Sequence, residues 1–105
     1  MPGVDLNYFI RQANKLTEKI EKRKQELAEE TIEKKSQNDL ITVKVSCSQE
    51  IKSIKIAPAA VDPNDVAMLE DLLIATVNAA LQDSKAHLQA ELGKVSGGIK
   101  IPGIT

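Results

Sequence analysis

The sequence has few aromatic residues and few of the residues that build metal sites. Its 105 residues include one cysteine, one histidine, one tyrosine, one phenylalanine and no tryptophan. A single cysteine excludes an intrachain disulfide, and together with one histidine it leaves no Cys/His set with zinc spacing. With so few rings, the core must be built from Ile, Leu, Val and Ala. The composition therefore predicts one small domain with a thin core, which a second copy of the chain would enlarge.

Long apolar segments are also missing. No stretch approaches the ~18 apolar residues of a membrane-spanning helix. The first residues lack the basic start and apolar run of a secretory signal. We therefore expect a cytoplasmic protein without a membrane partner, in a compartment where Cys47 stays reduced.

The sequence also lacks a recognisable catalytic pattern. His87 has no Cys, Asp or Glu at nucleophile or metal-ligand spacing, so we interpret it as an ordinary helix residue. Gly97 and Gly98 follow no predicted strand and open no helix, which excludes a phosphate-binding loop. Cys47 ends the apolar face of a predicted strand and is interpreted as a small buried hydrophobe. We expect no enzymatic activity, no metal, no cofactor and no small-molecule substrate.

The charges are unevenly distributed along the chain. The whole sequence has 14 basic and 15 acidic residues. Residues 5–27 have six basic and four acidic residues, a balance of +2, whereas residues 62–92 have one basic and six acidic residues, a balance of −5. Because the total is close to zero, a polyanion partner is indicated only by the first segment.

The first segment predicts an amphipathic helix with a narrow apolar stripe. Apolar residues recur between residues 6 and 27 at alternating steps of three and four, and Arg23 occupies the one missing position. Two apolar positions in seven are typical of a coiled-coil-like seam. We expect Asp5 to cap this helix and the stripe to pack along a partner helix, which we assign to a second copy of the chain. This apolar stripe consists of Leu6, Phe9, Ala13, Leu16, Ile20 and Leu27.

The middle of the chain predicts a β-hairpin. Residues 29–35 fit either the frayed end of the first helix or a short exposed strand. A polar turn at residues 36–39 separates them from residues 41–48, where apolar and polar side chains alternate as in a half-buried strand. The isoleucines within residues 51–56 indicate a second strand, and their uneven spacing predicts a bulge or a strong twist.

The last part of the chain predicts one long helix and a tail. Asp62, followed by proline, is a suitable helix start. Helical spacing of apolar residues continues to about Leu92, and Gly93 is expected to stop the helix. We predict that residues 1–94 form the domain and that residues 95–105, rich in glycine and isolated isoleucines, form a flexible tail.

The sequence feature that indicates a function is a row of basic residues on the first helix. At about 100° per residue, Lys15, Lys19 and Lys22 lie within about 80° of Arg11, whereas the apolar stripe is centred about 170° away. Four cations along about 16 Å of helix can neutralise successive phosphates without reading bases. The alternative is a solubilising face. We call Arg11, Lys15, Lys19 and Lys22 the basic row.

Arg23 stands in the apolar stripe itself. A charged residue there indicates where two helices part or where a cation reaches out of the contact, and we include Arg23 among the predicted DNA-binding residues. The acidic second helix and the isoelectric point of about 5.8 favour a rival function, an acidic helical adaptor that docks on another protein without significant DNA binding.

Several segments, taken together in order and spacing, resemble the YbaB/EbfC family of nucleoid-associated proteins. The most specific of them is Met-Leu-Glu-Asp-Leu-Leu at residues 68–73, followed by Val-Asn-Ala-Ala at residues 77–80. The other matching segments are residues 10–27, 40–45, 51–58 and 101–103.

This resemblance implies an α+β fold with a long helix, a three-stranded antiparallel sheet and a second long helix, in the order α-β-β-β-α. It makes residues 29–35 the first strand. It implies a tweezer-like homodimer that binds double-stranded DNA with weak sequence preference and organises the bacterial nucleoid. Where family members usually have a glycine-rich turn, this sequence has residues 36–39, of which Asn38 and Asp39 tolerate a left-handed backbone.

Overall fold

The computed structural model describes residues 5–97 and has the α+β order that the resemblance implies. The molecule is elongated, measuring 76 × 19 × 16 Å. Two short 3₁₀ turns, at residues 37–39 and 58–60, border the sheet. The elements are α1 (Leu6–Ala28), β1 (Thr31–Lys35), β2 (Ile41–Ser46), β3 (Ile51–Ile56) and α2 (Val66–Val95).

Helix α1 begins where the sequence predicted, because Asp5 caps it. The Asp5 carboxylate accepts a hydrogen bond of 2.9 Å from the backbone N–H of Asn7. Ile20 and Leu27 of the apolar stripe are buried in a cluster with Cys47 and Leu92. The partner helix for this half of the stripe is therefore α2 of the same chain, and its assignment to a second copy was wrong there. The short connection between α1 and the sheet lets α2 return along α1.

Among residues 5–97, nothing covers the start of the stripe. Leu16 still packs against the cluster, as does Val95 at the end of α2. Beyond it, Leu6 is 70% exposed and Phe9 is 55% exposed. The ten residues before Leu16 amount to about 15 Å of helix. The first part of α1 therefore projects from the body of the molecule.

The sheet has the antiparallel order β1-β2-β3. Residues 31–35 form its first strand. The segment is therefore a strand and not the frayed end of the first helix. Ile41, Val43 and Val45 occupy alternate positions of β2, on the face that packs against α2. They are completely buried, as predicted for a half-buried strand. The predicted bulge is confirmed as a register shift opposite Lys44 and Val45.

The turn between β1 and β2 adopts the left-handed conformation that its residue types permit. Asn38 has φ 59° and Asp39 has φ 56°. The Ser36 hydroxyl accepts a hydrogen bond of 2.8 Å from the backbone N–H of Ile41, which closes the turn without glycine.

Helix α2 begins and ends later than the sequence predicted. Asp65 is its N-cap and accepts from the backbone N–H of Met68 at 3.2 Å, whereas Asp62 caps the preceding turn. Gly93 lies inside the helix, which continues to Val95 and is capped by Ser96. The burial of Leu92 against α1 offsets the cost of a helical glycine, about 1 kcal/mol.

Helix α2 continues past residue 94, where the sequence analysis placed the boundary between domain and tail. Val95 is helical and Ser96 is buried. The chain leaves the helix at Gly97, whose φ of 66° suits a glycine at this position. The remainder of the predicted flexible tail, residues 98–105, lies outside the described residues.

The packing of α2 leaves the third strand uncovered. Helix α2 packs mainly on β1 and β2. Ile51, Ile54 and Ile56 pair in register with the buried residues of β2, so they share the face that α2 covers elsewhere, yet each is more than 40% exposed. The sheet therefore has an apolar edge that the described residues of one chain do not bury.

Candidate nucleic-acid interface

The basic row lies on the projecting helix and points into solvent. Arg11, Lys15, Lys19 and Lys22 are all exposed. Ile20 and Leu27, which are buried, lie on the opposite side of the helix at about 180° and 160° from Arg11. The orientation inferred from the helical spacing therefore agrees with the side on which α1 is packed.

The cations of the basic row are not neutralised locally. Within residues 5–97, none of the four forms an ion pair with a carboxylate. The neighbouring Lys24, by contrast, lies 3.7 Å from Glu21. Free ammonium and guanidinium groups at a spacing of about 6 Å or less along the axis can each meet a separate anion. The arrangement is suited to a polyanion and has no feature of a reaction centre.

Arg23 differs from the basic row because carboxylates surround it. Its guanidinium donates to Glu91 at 2.6 Å and lies 3.2 Å from Glu30 and 3.7 Å from Glu26. The side chain is 26% exposed. These contacts raise the pKa of Arg23 further, mainly through the hydrogen bond to Glu91. The arrangement joins α1 to α2 at the point where the apolar stripe is interrupted.

Glu91 is the centre of this ion cluster. It accepts hydrogen bonds from Lys94 at 2.5 Å and from Arg23 at 2.6 Å. The Lys94 hydrogen bond, followed by the Arg23 hydrogen bond, lowers the pKa of Glu91 to about 2. Sequence reasoning missed this cluster because Arg23 and Glu91 are 68 residues apart and only the packing of α1 on α2 joins them.

His87 and Cys47 are the two residues that could have carried other chemistry, and both lie in contacts between packed elements. His87 Nε2 lies 3.3 Å from Glu30 Oε1, at the edge of the ion cluster. Cys47 is buried between the helices, as predicted, and burial raises the pKa of its thiol. Among residues 5–97, no group of three or more His, Cys, Asp or Glu side chains is arranged to hold a metal ion. In the same part of the chain, no helix is long and apolar enough to cross a membrane.

Exposed apolar residues also occur on α2 and on β3. Leu73 and Val77 line a hollow on α2, and Ile74 next to them is 61% exposed. These residues and the isoleucines of β3 add apolar surface to a molecule with a thin core. We call Ile51, Ile54, Ile56, Leu73, Ile74 and Val77 the β3–α2 apolar face.

Comparison with known proteins agrees with the resemblance seen in the sequence. The model of the YbaB/EbfC DNA-binding family matches residues 1–99. A nucleoid-associated protein of Myxococcus xanthus strain DK1622 is 67% identical over 105 residues, which is the full length of both chains. A nucleoid-associated protein of Anaeromyxobacter dehalogenans strain 2CP-C is 42% identical over 101 residues, covering 96% of this chain and 98% of the relative.

A solved structure shows the same fold. An uncharacterized protein from Helicobacter pylori superposes with a TM-score of 0.76 over 90% of this chain and 99% of its own, at 10% identity. The fold and the sequence relatives define the class: this is a small bacterial nucleoid-associated protein. The chain belongs to the YbaB/EbfC DNA-binding family.

Proposed function

We propose that this protein binds double-stranded DNA as a homodimer, mainly by contacts from the basic row to phosphates, and that it organises or regulates the nucleoid in this way. The observation that carries the proposal is a row of four exposed cations on α1, without ion pairs among residues 5–97, on the side opposite its packed stripe. The first two of them, Arg11 and Lys15, lie on the projecting part of the helix. Phosphate contacts supply affinity for any duplex without selecting a sequence. We assign the protein no catalytic step and no cofactor.

The proposed homodimer rests on the β3–α2 apolar face. Ile54 is 43% exposed in the edge strand β3, and Ile74 is 61% exposed on α2. An uncovered edge strand with apolar side chains favours association with an identical edge. A two-fold axis through this face would bury it on both copies at once. The two α1 helices would then project from one shared core.

Arg23 has a different part in the proposal. To reach a phosphate, its guanidinium would have to leave Glu91, Glu30 and Glu26. We therefore propose that Arg23 positions α1 and that the basic row makes the phosphate contacts. The acidic residues of α2 repel DNA, so α1 carries most of the attraction.

The number of cations sets the expected salt dependence. A dimer has eight residues of the basic row, and if all eight engage phosphates, the logarithm of affinity falls against the logarithm of salt concentration with a slope of roughly −7. A mobility-shift titration on several unrelated duplexes at a series of salt concentrations measures this slope.

The decisive variant replaces Arg11, Lys15, Lys19 and Lys22 by Gln. We expect it to bind every duplex more weakly and with a flatter slope. The matched control removes the same charge elsewhere, with Lys24, Lys34, Lys52 and Lys85 replaced by Gln, and should keep most of the slope. Equal loss in both variants would reject the basic row as the site, and no binding by the native protein would favour the acidic adaptor instead.

A further inference from the structure

The open face of the sheet presents a second group of unpaired cations. Side chains alternate across a strand, so the face opposite Ile41 and Val43 carries Thr42 and Lys44. Helix α2 packs on the side of the buried residues. In the part of the chain that the structure describes, no helix covers the opposite side. The residues on this open sheet face are Lys35, Lys44, Lys55, Thr42, Ser53, Glu33 and Thr31.

The strand register brings three lysines together. Lys35 pairs with Thr42 on one side, and Lys55 pairs with Thr42 on the other. Neighbouring strands are about 4.8 Å apart, so the Cα atoms of Lys35 and Lys55 are roughly 10 Å apart across the sheet. Lys44 lies two residues along the central strand, about 7 Å from Thr42. All three lysines are exposed.

These lysines have no local counter-charge. In the part of the chain that the structure describes, none of the three forms an ion pair with a carboxylate, whereas Lys34, on the other face, lies 3.3 Å from Asp83 of α2. Glu33, which pairs with Lys44 in the register, is the one acidic residue on the face. Three lysines and one glutamate leave a balance of +2.

The composition of the face decides which kind of partner it fits. It contains no apolar side chain among its strand residues. A protein partner would normally bury apolar residues at the centre of its contact. A flat surface of lysines with interspersed hydroxyl groups instead matches the oxygen atoms of a phosphate backbone, which Lys, Ser and Thr side chains commonly contact.

We propose that the open sheet face is a second phosphate-binding surface for duplex DNA, with Lys35, Lys44 and Lys55 as its contacts. This inference rests on the proposed DNA-binding function and adds a surface that the helical pattern of α1 did not indicate. In a dimer the face supplies six more cations. If all six engage, the slope of the salt dependence becomes steeper by about 5.

The test compares two triple variants of the full chain by mobility shift over a series of salt concentrations. The first replaces Lys35, Lys44 and Lys55 by Gln, and the control replaces Lys24, Lys34 and Lys85 by Gln, which removes the same charge from other surfaces. We expect the first variant to bind more weakly than the control at every salt concentration and to have a slope flatter by at least 2. Thermal unfolding of both variants shows whether each has kept its fold.

A third variant replaces Lys35, Lys44 and Lys55 by Arg. It should have the native slope, because Arg keeps the positive charge at each position. If the native protein binds DNA and the Gln variant has the slope of the control, the inference is wrong while the proposed function stands. If the native protein binds no duplex, both are wrong.

Discussion

Replacing Leu27 by Ala tests how α1 is held. Leu27 of α1 is completely buried, in a cluster with Leu92 of α2 and with Cys47, which follows the end of β2. Truncating a buried leucine removes its transfer free energy and leaves a cavity, a loss of about 3 kcal/mol in the free energy of unfolding. In a domain of this size that loss lowers the melting temperature by roughly 12–24 °C. Urea unfolding followed by circular dichroism, at one fixed protein concentration, measures the change.

The matched control is Leu6→Ala, the same substitution in the same stripe of the same helix. Leu6 is 70% exposed, so its truncation should change the free energy of unfolding by less than about 0.5 kcal/mol. A large loss in both variants would refute the reasoning. It would mean that the projecting half of the stripe is also buried, as it would be against a second copy.

Three further outcomes follow from the structure. Gly93→Ala should raise the free energy of unfolding, measured with urea, by about 0.5–1 kcal/mol. The reason is that Gly93 is helical and an added Cβ would meet nothing within 4 Å. A lower free energy of unfolding would indicate that the helix ends at Gly93. The pKa of Glu91, lowered to about 2, means that its ion cluster stabilises the fold above pH 4.5 and loses this contribution as pH falls toward 2. A pH series of unfolding curves for Glu91→Gln should therefore show a weaker dependence across that window than the native protein, and an unchanged dependence would contradict the assignment. Ile54→Asp should convert the proposed dimer to monomer in sedimentation experiments, whereas Thr31→Asp, on the opposite face of the sheet, should leave the dimer intact.

Elements governed by local interactions could be predicted from the sequence. Asp5 caps α1 because a carboxylate at that position reaches a free backbone N–H two residues later. The alternation around Val43 identified the central strand, and the uneven spacing before Ile54 identified the bulge. The outward direction of the basic row followed from helical spacing alone. Each of these depends on neighbours within a few residues.

The errors arose where two local signals competed. Asp62 and Asp65 are both suitable N-caps, and only the packing of α2 on the sheet selects the second. Gly93 is a common stop signal, but contacts of Leu92 with α1 carry the helix past it. Residues 29–35 were not an error: their composition left a helix end and a strand open, and residues 31–35 form the strand because β2 supplies the hydrogen-bond partners.

The sequence by itself determined the helices, the alternating strands and the basic row, since these follow from the period of the backbone and the chemistry of adjacent side chains. The tertiary structure alone decided that the apolar stripe is covered over only half its length, that Arg23 binds Glu91, and that three lysines meet on the open sheet face. The reason is distance along the chain: these contacts join residues from separate elements, and no local pattern records which elements will pack together.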